Sequence, residues 1–141
     1  SGIFLHKTSG GNHKLIRGFD DYFYAPHSRY TGVDREDVDK HPELYVLAQS
    51  EEAGVYLIVG RDGREVYVTG HPEYDNNTLE LEYRRDLDKG IAPEIPANYF
   101  PNDDINRQPV NLWRGHANLL FSNWLNYCVY QETPYKLDDI G

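Results

Sequence analysis

The segment from Gly54 to Gly70, GVYLIVGRDGREVYVTG, constrains the fold more than any other part of the sequence. Two runs of β-branched and aromatic residues flank Asp62 and Gly63, a pair that tolerates the positive φ values of a tight hairpin turn. Pro72 follows, and because it cannot donate a ladder hydrogen bond it should end the second strand. The segment therefore predicts an antiparallel hairpin that leads directly into the residues GHPEYD.

Weaker patterns predict the other elements. Three earlier segments, 3–7, 21–25 and 44–50, have the composition of strands. A helix should begin after Asn77, because Glu80 follows at capping-box distance. It should end at Gly90. The apolar stripe of this helix is predicted to consist of Leu79, Tyr83 and Leu87.

A second helix is predicted near the C-terminus from apolar residues at helical spacing. These residues are Trp113, Ala117, Leu120, Phe121, Trp124 and Cys128. Residues 91–111 lie between the two helices and contain four prolines without periodicity. Loops of this length usually cover a site or are disordered, and Tyr99 and Phe100 favour a packed lid.

Composition limits the classes of protein. The 141 residues fit one domain, and the net charge of −9 argues against nucleic acid as a partner, since phosphate binding needs clustered cations. No apolar run approaches the roughly 18 residues that would indicate a membrane span. The chain begins with Ser1 and contains no methionine, so we expect it to be a processed product or a piece of a longer protein.

His71 and Glu73 are the first candidate site residues. Residues i and i+2 of a strand lie on one face, so an extended HPE would let the carboxylate accept a ring N–H, as a general base requires. An ordinary pair of surface residues is the alternative. Asp75 would add a third metal ligand, but no second histidine lies at a short ligand spacing and the P-C-x-x-C of zinc deaminases is missing, so no metal is predicted.

Three further residues can be assigned roles from their surroundings. Ser28 follows His27 but has no G-x-S-x-G elbow, which favours hydrogen bonding over nucleophilic attack. Arg85 lies off the apolar stripe of its helix and is predicted to face solvent. Cys128, the one cysteine, lies among apolar and aromatic residues, and burial there would make it unreactive.

Five motifs in order resemble the C-terminal half of the MetA-type homoserine O-acyltransferases, the homoserine O-succinyltransferases and O-acetyltransferases. They are RGFDDYFYAPHSRYT, SEEAGVYLI, VTGHPEYD, NYFPNDD and LLFSNWLNYCVYQETPY, and the resemblance runs from Ser1 to about Tyr135. It implies an α/β fold like that of class I glutamine amidotransferases, which is flavodoxin-like. Residues 1–141 would then be the C-terminal portion of a single catalytic domain.

The resemblance also implies a reaction and its residues. An acyl group from succinyl-CoA or acetyl-CoA would pass through a cysteine thioester to the hydroxyl of L-homoserine, an early step of methionine biosynthesis in the cytoplasm. By motif, His71 would be the general base and Glu73 its orienting partner. Ser28 and Arg85 would bind homoserine, and Arg85 would pair with its carboxylate. The complete enzyme would be a homodimer that needs no cofactor beyond its acyl-CoA co-substrate.

One part of the family pattern does not match. The acylated cysteine of the family lies in the N-terminal half, and Cys128 falls where relatives carry an aromatic residue, so this chain by itself is expected to be inactive. Two alternatives remain open: a non-catalytic ligand-binding module, and a related amidase or amidotransferase that uses the same triad.

Overall fold

A computed structural model describes residues 1–10, 13–28, 33–60 and 65–129, with the backbone alone for residues 127–129. Its described strands form one five-stranded sheet in the order β2-β1-β3-β4-β5. Every neighbouring pair is antiparallel. The strands are β1 (Gly2–Thr8), β2 (Tyr22–His27), β3 (Leu44–Ser50), β4 (Gly54–Gly60) and β5 (Val66–Val68). The three early strands predicted from composition are therefore confirmed within two residues.

The helices lie between and after the strands. They are α1 (Arg35–Asp39), α2 (Thr78–Asp88) and α3 (Arg114–Asn123), the last continuing as π-helical winding over Trp124–Val129. Short 3-10 turns span Lys14–Ile16 and Pro101–Asp103. The expectation of an α/β chain with a hairpin and two main helices, α2 and α3, is confirmed. None of the described helices has the length and apolar character that a membrane span requires.

The predicted hairpin is present as β4 and β5. Leu57 pairs with Val68 and Val59 pairs with Val66 in antiparallel register. Strand β4 is buried along nearly its whole length, whereas β5 is a short edge strand with two exposed residues. Asp62 and Gly63, on which the turn prediction depends, lie outside the described residues.

Helix α2 follows the predicted bounds but not every detail. Asn77 is its N-cap residue, yet the side chain makes no capping bond, and the amide of Glu80 instead donates to the hydroxyl of Tyr99 at 3.3 Å. The capping-box prediction is therefore wrong. Leu79 and Tyr83 are buried, whereas Leu87 is 43% exposed, because among the described residues the core beneath α2 stops at Tyr83.

The end of α2 is confirmed. Gly90 has a φ of +74°, a left-handed conformation that glycine adopts without a steric penalty. The amide of Ile91 donates back to the carbonyl of Asp86 at 3.0 Å, and that of Gly90 donates to Leu87 at 3.1 Å. These two bonds close the helix as a glycine C-cap does.

Helix α3 buries only part of its predicted apolar face. Trp113, Ala117 and Leu120 are buried as expected, but Phe121 and Trp124 are each more than 40% exposed. The winding changes to π-helical over Trp124–Val129, so the α-helical spacing assumed in the prediction does not hold beyond Trp124. The burial predicted for Cys128 concerns a side chain outside the described set.

Residues 91–111 pack against the sheet and do not form a detached loop. Tyr99 and Phe100 are buried in a cluster with Ile3 of β1, which confirms the packing predicted for them. The amide of Ile3 donates to the carbonyl of Ala97 at 2.7 Å, and the side-chain amide of Asn98 donates to the carbonyl of Ile3 at 3.0 Å. This anchoring brings the prolines at the start of the segment to the edge of the sheet where β2 ends.

Candidate active site

The turn that carries His71 is held against the end of β2. The amide of His71 donates to the carbonyl of Pro26 at 2.9 Å. Just before it, a Cβ on Gly70 would lie 2.7 Å from Cε2 of Tyr56 and 2.9 Å from the Pro26 carbonyl oxygen. Because no side chain fits there, glycine lets the chain approach β2 closely. This contact brings His71 beside Ser28, which lies much earlier in the sequence.

His71 and Glu73 make the contact that their spacing predicts. Nδ1 of His71 lies 2.9 Å from Oε1 of Glu73. The segment is not extended, however, because β5 ends at Val68 and the amide of Tyr74 donates to the carbonyl of His71 at 3.1 Å, so the contact forms within a turn. A carboxylate at Nδ1 places the ring proton there and leaves a lone pair on Nε2 of the neutral imidazole.

Tyr74 supports the imidazole from one face. Its ring stacks on that of His71 with centroids 4.5 Å apart and an angle of 9° between the planes. Its hydroxyl donates to Oε1 of Glu82 at 2.9 Å. The pKa of Tyr74 is raised, chiefly by burial, while a hydrogen bond from Ser28 acts in the opposite direction. Tyr74 thus connects His71, helix α2 and the end of β2.

The predicted substrate-binding residues meet at one cavity of about 760 Å³. Ser28, His71 and Arg85 all line it. Glu73 does not, because it lies behind the imidazole and lines a second cavity of about 350 Å³. The remaining residues on the wall of the larger cavity are Ser1, His27, Thr69, Tyr74, Leu79, Glu82, Tyr83, Asp86, Pro93, Glu94 and Pro96.

Arg85 is exposed to solvent, as predicted, and it also lines the cavity. Its side chain is 60% exposed, as its position off the apolar stripe predicts, and its Nε lies 3.5 Å from Oδ1 of Asp86. It also lies on the wall of the cavity, which Pro93 and Pro96 of the proline-rich segment line as well. The flank of α2 that faces away from the core therefore borders both the cavity and solvent.

The charges on the cavity wall suit a zwitterion. Arg85 can receive a carboxylate through two parallel hydrogen bonds. The carboxylates of Glu82, Asp86 and Glu94 line the same cavity and favour a cationic group close by. An imidazole, a guanidinium and several carboxylates around one cavity are an arrangement that can bind a small amino acid and deprotonate a group on its side chain.

Sequence reasoning missed several of these residues. Tyr74 lies within the GHPEYD motif, but no local pattern indicates that its ring stacks on His71. Glu82 precedes Arg85 by three residues, a helical spacing that could have placed both on one side of α2. Among the described residues, no three His, Cys, Asp or Glu side chains are placed to hold a metal ion.

Comparisons with known proteins agree with the motifs. The family model described as "Homoserine O-succinyltransferase" matches residues 1–135. A homoserine O-acetyltransferase of Bacteroides fragilis is 60% identical over 139 residues, covering 99% of this chain and 46% of the relative. Homoserine O-acetyltransferases of Brevibacillus brevis (57% over 138 residues; 98% and 45%) and Thermotoga petrophila (56% over 140 residues; 99% and 46%) are also similar. The chain thus spans about half the length of the curated relatives it matches.

Proposed function

The chain belongs to the homoserine O-succinyltransferase family, and on this premise we propose that it supplies the base and the amino-acid-binding side of a homoserine O-acyltransferase. The complete enzyme is here a protein of the relatives' length that contains this chain. It would transfer an acyl group from acyl-CoA to the hydroxyl of L-homoserine in methionine biosynthesis.

One observation carries this proposal. Nδ1 of His71 is bonded to Glu73 at 2.9 Å, while His71 lies on the wall of the cavity that Arg85 and Ser28 also line. A carboxylate behind an imidazole fixes its tautomer and stabilises the imidazolium that forms when the imidazole takes a proton. Arg85 and Ser28 lie where they can hold an amino acid in front of such a base.

The reaction proceeds in two halves. Nε2 of His71 first takes the proton of a cysteine thiol, which lies in the part of the relatives' length that this chain does not span. The thiolate attacks the acyl-CoA carbonyl, the carbon–sulfur bond to CoA breaks, and CoA leaves with the proton from His71. The hydroxyl of homoserine then gives its proton to His71 and attacks the thioester, which releases the ester and returns the proton to the thiol.

Arg85 and Ser28 hold homoserine for the second half. The guanidinium of Arg85 binds the carboxylate, and its planar fork matches both oxygens. The Ser28 hydroxyl, next to that of Tyr74, provides a further hydrogen bond to the substrate. Glu73 acts through His71 rather than on substrate.

We propose acetyl-CoA as the acyl donor, because the relatives described above are all named acetyltransferases. The family model bears the name of the succinyl reaction. The ratio of kcat/KM for the two donors in the complete enzyme decides between them. A higher value with succinyl-CoA would reverse the assignment.

Several wider properties of the complete enzyme are also proposals. We expect a glutamine amidotransferase-like, flavodoxin-like domain, of which this chain forms the C-terminal portion. The antiparallel sheet supports only the broader α/β class, so the parallel strands of such a fold would come from the remaining sequence. We further propose a cytoplasmic homodimer without a cofactor other than the acyl-CoA co-substrate.

Substitution of neighbouring arginines tests the proposal. Arg85→Ala in the complete enzyme should leave the donor-only half-reaction unchanged. It should lower kcat/KM for homoserine by a factor that corresponds to about 1.5 to 3 kcal/mol of transition-state stabilisation, the range for a hydrogen bond to a charged group. Arg85→Lys should rescue only partly, because an ammonium cannot bind a carboxylate with two parallel bonds.

Arg84→Ala is the matched control. Arg84 is the preceding residue, and its guanidinium donates to the carbonyl of Ile105 at 2.8 Å rather than lining the cavity. It should therefore leave both half-reactions unchanged after any loss of stability is allowed for. Equal losses in Arg84→Ala and Arg85→Ala, or loss of the donor-only reaction in Arg85→Ala, would contradict the assignment.

A ligand-binding module without chemistry is the second candidate. The described residues that line the cavity include no cysteine, which favours this candidate. This chain alone, mixed with acetyl-CoA or succinyl-CoA and homoserine, should release no CoA above background. Failure of the complete enzyme to acylate homoserine, with binding of homoserine retained, would favour the module. Sustained CoA release by this chain alone that disappears in Cys128→Ala would mean that Cys128 is the nucleophile.

A further inference from the structure

Two histidines that the proposed mechanism does not use are buried beside the cavity. His6 of β1 is completely buried and His27 at the end of β2 is 5% exposed. Their Nε2 atoms lie 2.9 Å apart, and their rings stack with centroids at 5.0 Å. Aromatic rings enclose the pair. The ring centroid of Phe4 lies 5.8 Å from that of His27. Those of Phe23 and Tyr56 lie 5.4 and 4.7 Å from that of His6.

The contacts of the pair determine its tautomers. Nδ1 of His6 lies 2.8 Å from the carbonyl oxygen of Phe4, which can only accept, so this nitrogen carries the proton. In the neutral ring, Nε2 of His6 is then an acceptor. The short contact between the two Nε2 atoms requires a proton on Nε2 of His27. Nδ1 of neutral His27 is left with a lone pair.

His27 lines the cavity, which is where its Nδ1 can meet a ligand. Among the described hydrogen bonds, His27 makes one, to His6, which leaves its Nδ1 without a protein donor. No fully buried side-chain nitrogen or oxygen in the described part of the chain lacks a partner, so Nδ1 is not sealed inside the protein. His27 lines the same cavity as His71 and Arg85.

Burial keeps the pair neutral around pH 7. It lowers the pKa of His6 to about 3 and that of His27 to about 4, and the positive charge of protonated His71 nearby lowers the pKa of His27 further. A neutral acceptor differs from a carboxylate at this position in one respect. It can receive a hydrogen bond from a cation without adding a negative charge that would raise the basicity of His71.

We propose that His27 is a further substrate-positioning residue, whose Nδ1 accepts a hydrogen bond from the α-ammonium group of the amino-acid substrate and whose tautomer is set by His6. The identity of the substrate rests on the function proposed above, whereas the tautomers do not. With the carboxylate at Arg85 and the hydroxyl at His71, the ammonium group lies between His27 and the carboxylate of Glu82, which lines the same cavity.

Nitrogen NMR of this chain tests the tautomers without catalysis. In a ¹⁵N-histidine sample at pH 7, His6 should show a proton on Nδ1 and His27 a proton on Nε2. Addition of L-homoserine should shift Nδ1 of His27, whereas 4-hydroxybutanoate, which lacks only the amino group, should leave it unchanged. A proton on Nδ1 of His27, or equal shifts with both ligands, would overturn the proposal.

Variants of the complete enzyme test the effect on substrate use. His6→Phe removes the acceptor for Nε2 of His27, whereas His6→Gln retains an oxygen that can replace it. His27→Phe removes the lone pair itself. In His6→Phe and His27→Phe, kcat/KM for homoserine should fall about ten- to a hundredfold, as expected for a lost hydrogen bond to a charged group. His6→Gln should retain most of the wild-type kcat/KM for homoserine.

The two ligands separate this effect from a general loss of function. Residual activity or binding with 4-hydroxybutanoate should be nearly unchanged in His27→Phe, and unfolding midpoints identify variants that fail to fold. Equal losses for homoserine and 4-hydroxybutanoate in folded variants would refute the role of His27. A wild-type enzyme that does not acylate homoserine would refute the proposed function, while the NMR result would still decide the tautomers.

Discussion

Gly70→Ala should destabilise this chain, because the position before His71 has no room for a methyl group. An added Cβ would lie 2.7 Å from Cε2 and 2.9 Å from Cδ2 of Tyr56. Tyr56 cannot move away easily, since it is 2% exposed and packed between other rings. Its ring centroid lies 4.7 Å from that of His6 and 5.6 Å from that of Phe23.

The other neighbour of the added methyl group is equally constrained. The carbonyl oxygen of Pro26 would lie 2.9 Å from the new Cβ, and it already accepts the amide of His71 at 2.9 Å. Relief of the clash must therefore move the turn that carries His71. Overpacking of this kind costs about 1 to 3 kcal/mol. With a urea m-value of about 2 kcal/mol/M, the unfolding midpoint should fall by roughly 0.5 to 1.5 M.

Gly115→Ala is the matched control for the same chemical change. Gly115 lies exposed in α3, and a Cβ there would meet no atom within 4 Å. Alanine should stabilise a helix at such a position by about 0.4 to 1 kcal/mol. Urea denaturation of both variants, followed by circular dichroism, measures the difference. An unchanged midpoint in Gly70→Ala, or equal shifts of the same sign in both, would refute the argument from close approach.

Three further predictions concern His71 and its surroundings. Glu73→Gln in the complete enzyme should leave the fold intact and reduce both half-reactions, since loss of the orienting carboxylate of a serine-protease triad lowers kcat by about 10⁴; near-normal turnover would make Glu73 an ordinary surface residue. Tyr74→Phe keeps the ring that stacks on His71 and should lower kcat less than Tyr74→Leu, and an equal loss in the two would assign the effect to the hydroxyl. Because the lowered pKa values of His6 and His27 lie near 3 and 4, the unfolded chain takes up protons below pH 6.5 that the folded chain does not. The unfolding free energy should therefore fall as the pH drops from 6.5 towards 4, by up to about 1.4 kcal/mol per pH unit for each histidine. Urea titrations at pH 7, 6 and 5 measure how the unfolding free energy changes with pH. The change should be smaller in His6→Gln, and an equal change in that variant would contradict the prediction.

Elements with local signals could be predicted from the sequence. Strand β4 was evident from its run of apolar residues, and helix α2 from the spacing of Leu79 and Tyr83 and from the glycine at its end. The contact between His71 and Glu73 followed from their separation by one residue, although the turn that brings them together was mistaken for a strand. Such predictions succeed because the period of a helix or strand is a property of neighbouring residues.

Which of these residues line one cavity depends on the packing of elements that are distant in the sequence. Ser28, His71 and Arg85 lie far apart in the sequence, and they meet because Gly70 lets the turn approach β2 while α2 packs its buried residues against β1. The link between His6 and His27 arises from the antiparallel register of β1 and β2, in which Gly2 pairs with His27 and His6 with Phe23. The same packing left Leu87 exposed despite its correct spacing. Periodicity shows which face of an element can be buried, but only the position of the neighbouring elements determines how far along that face the burial extends.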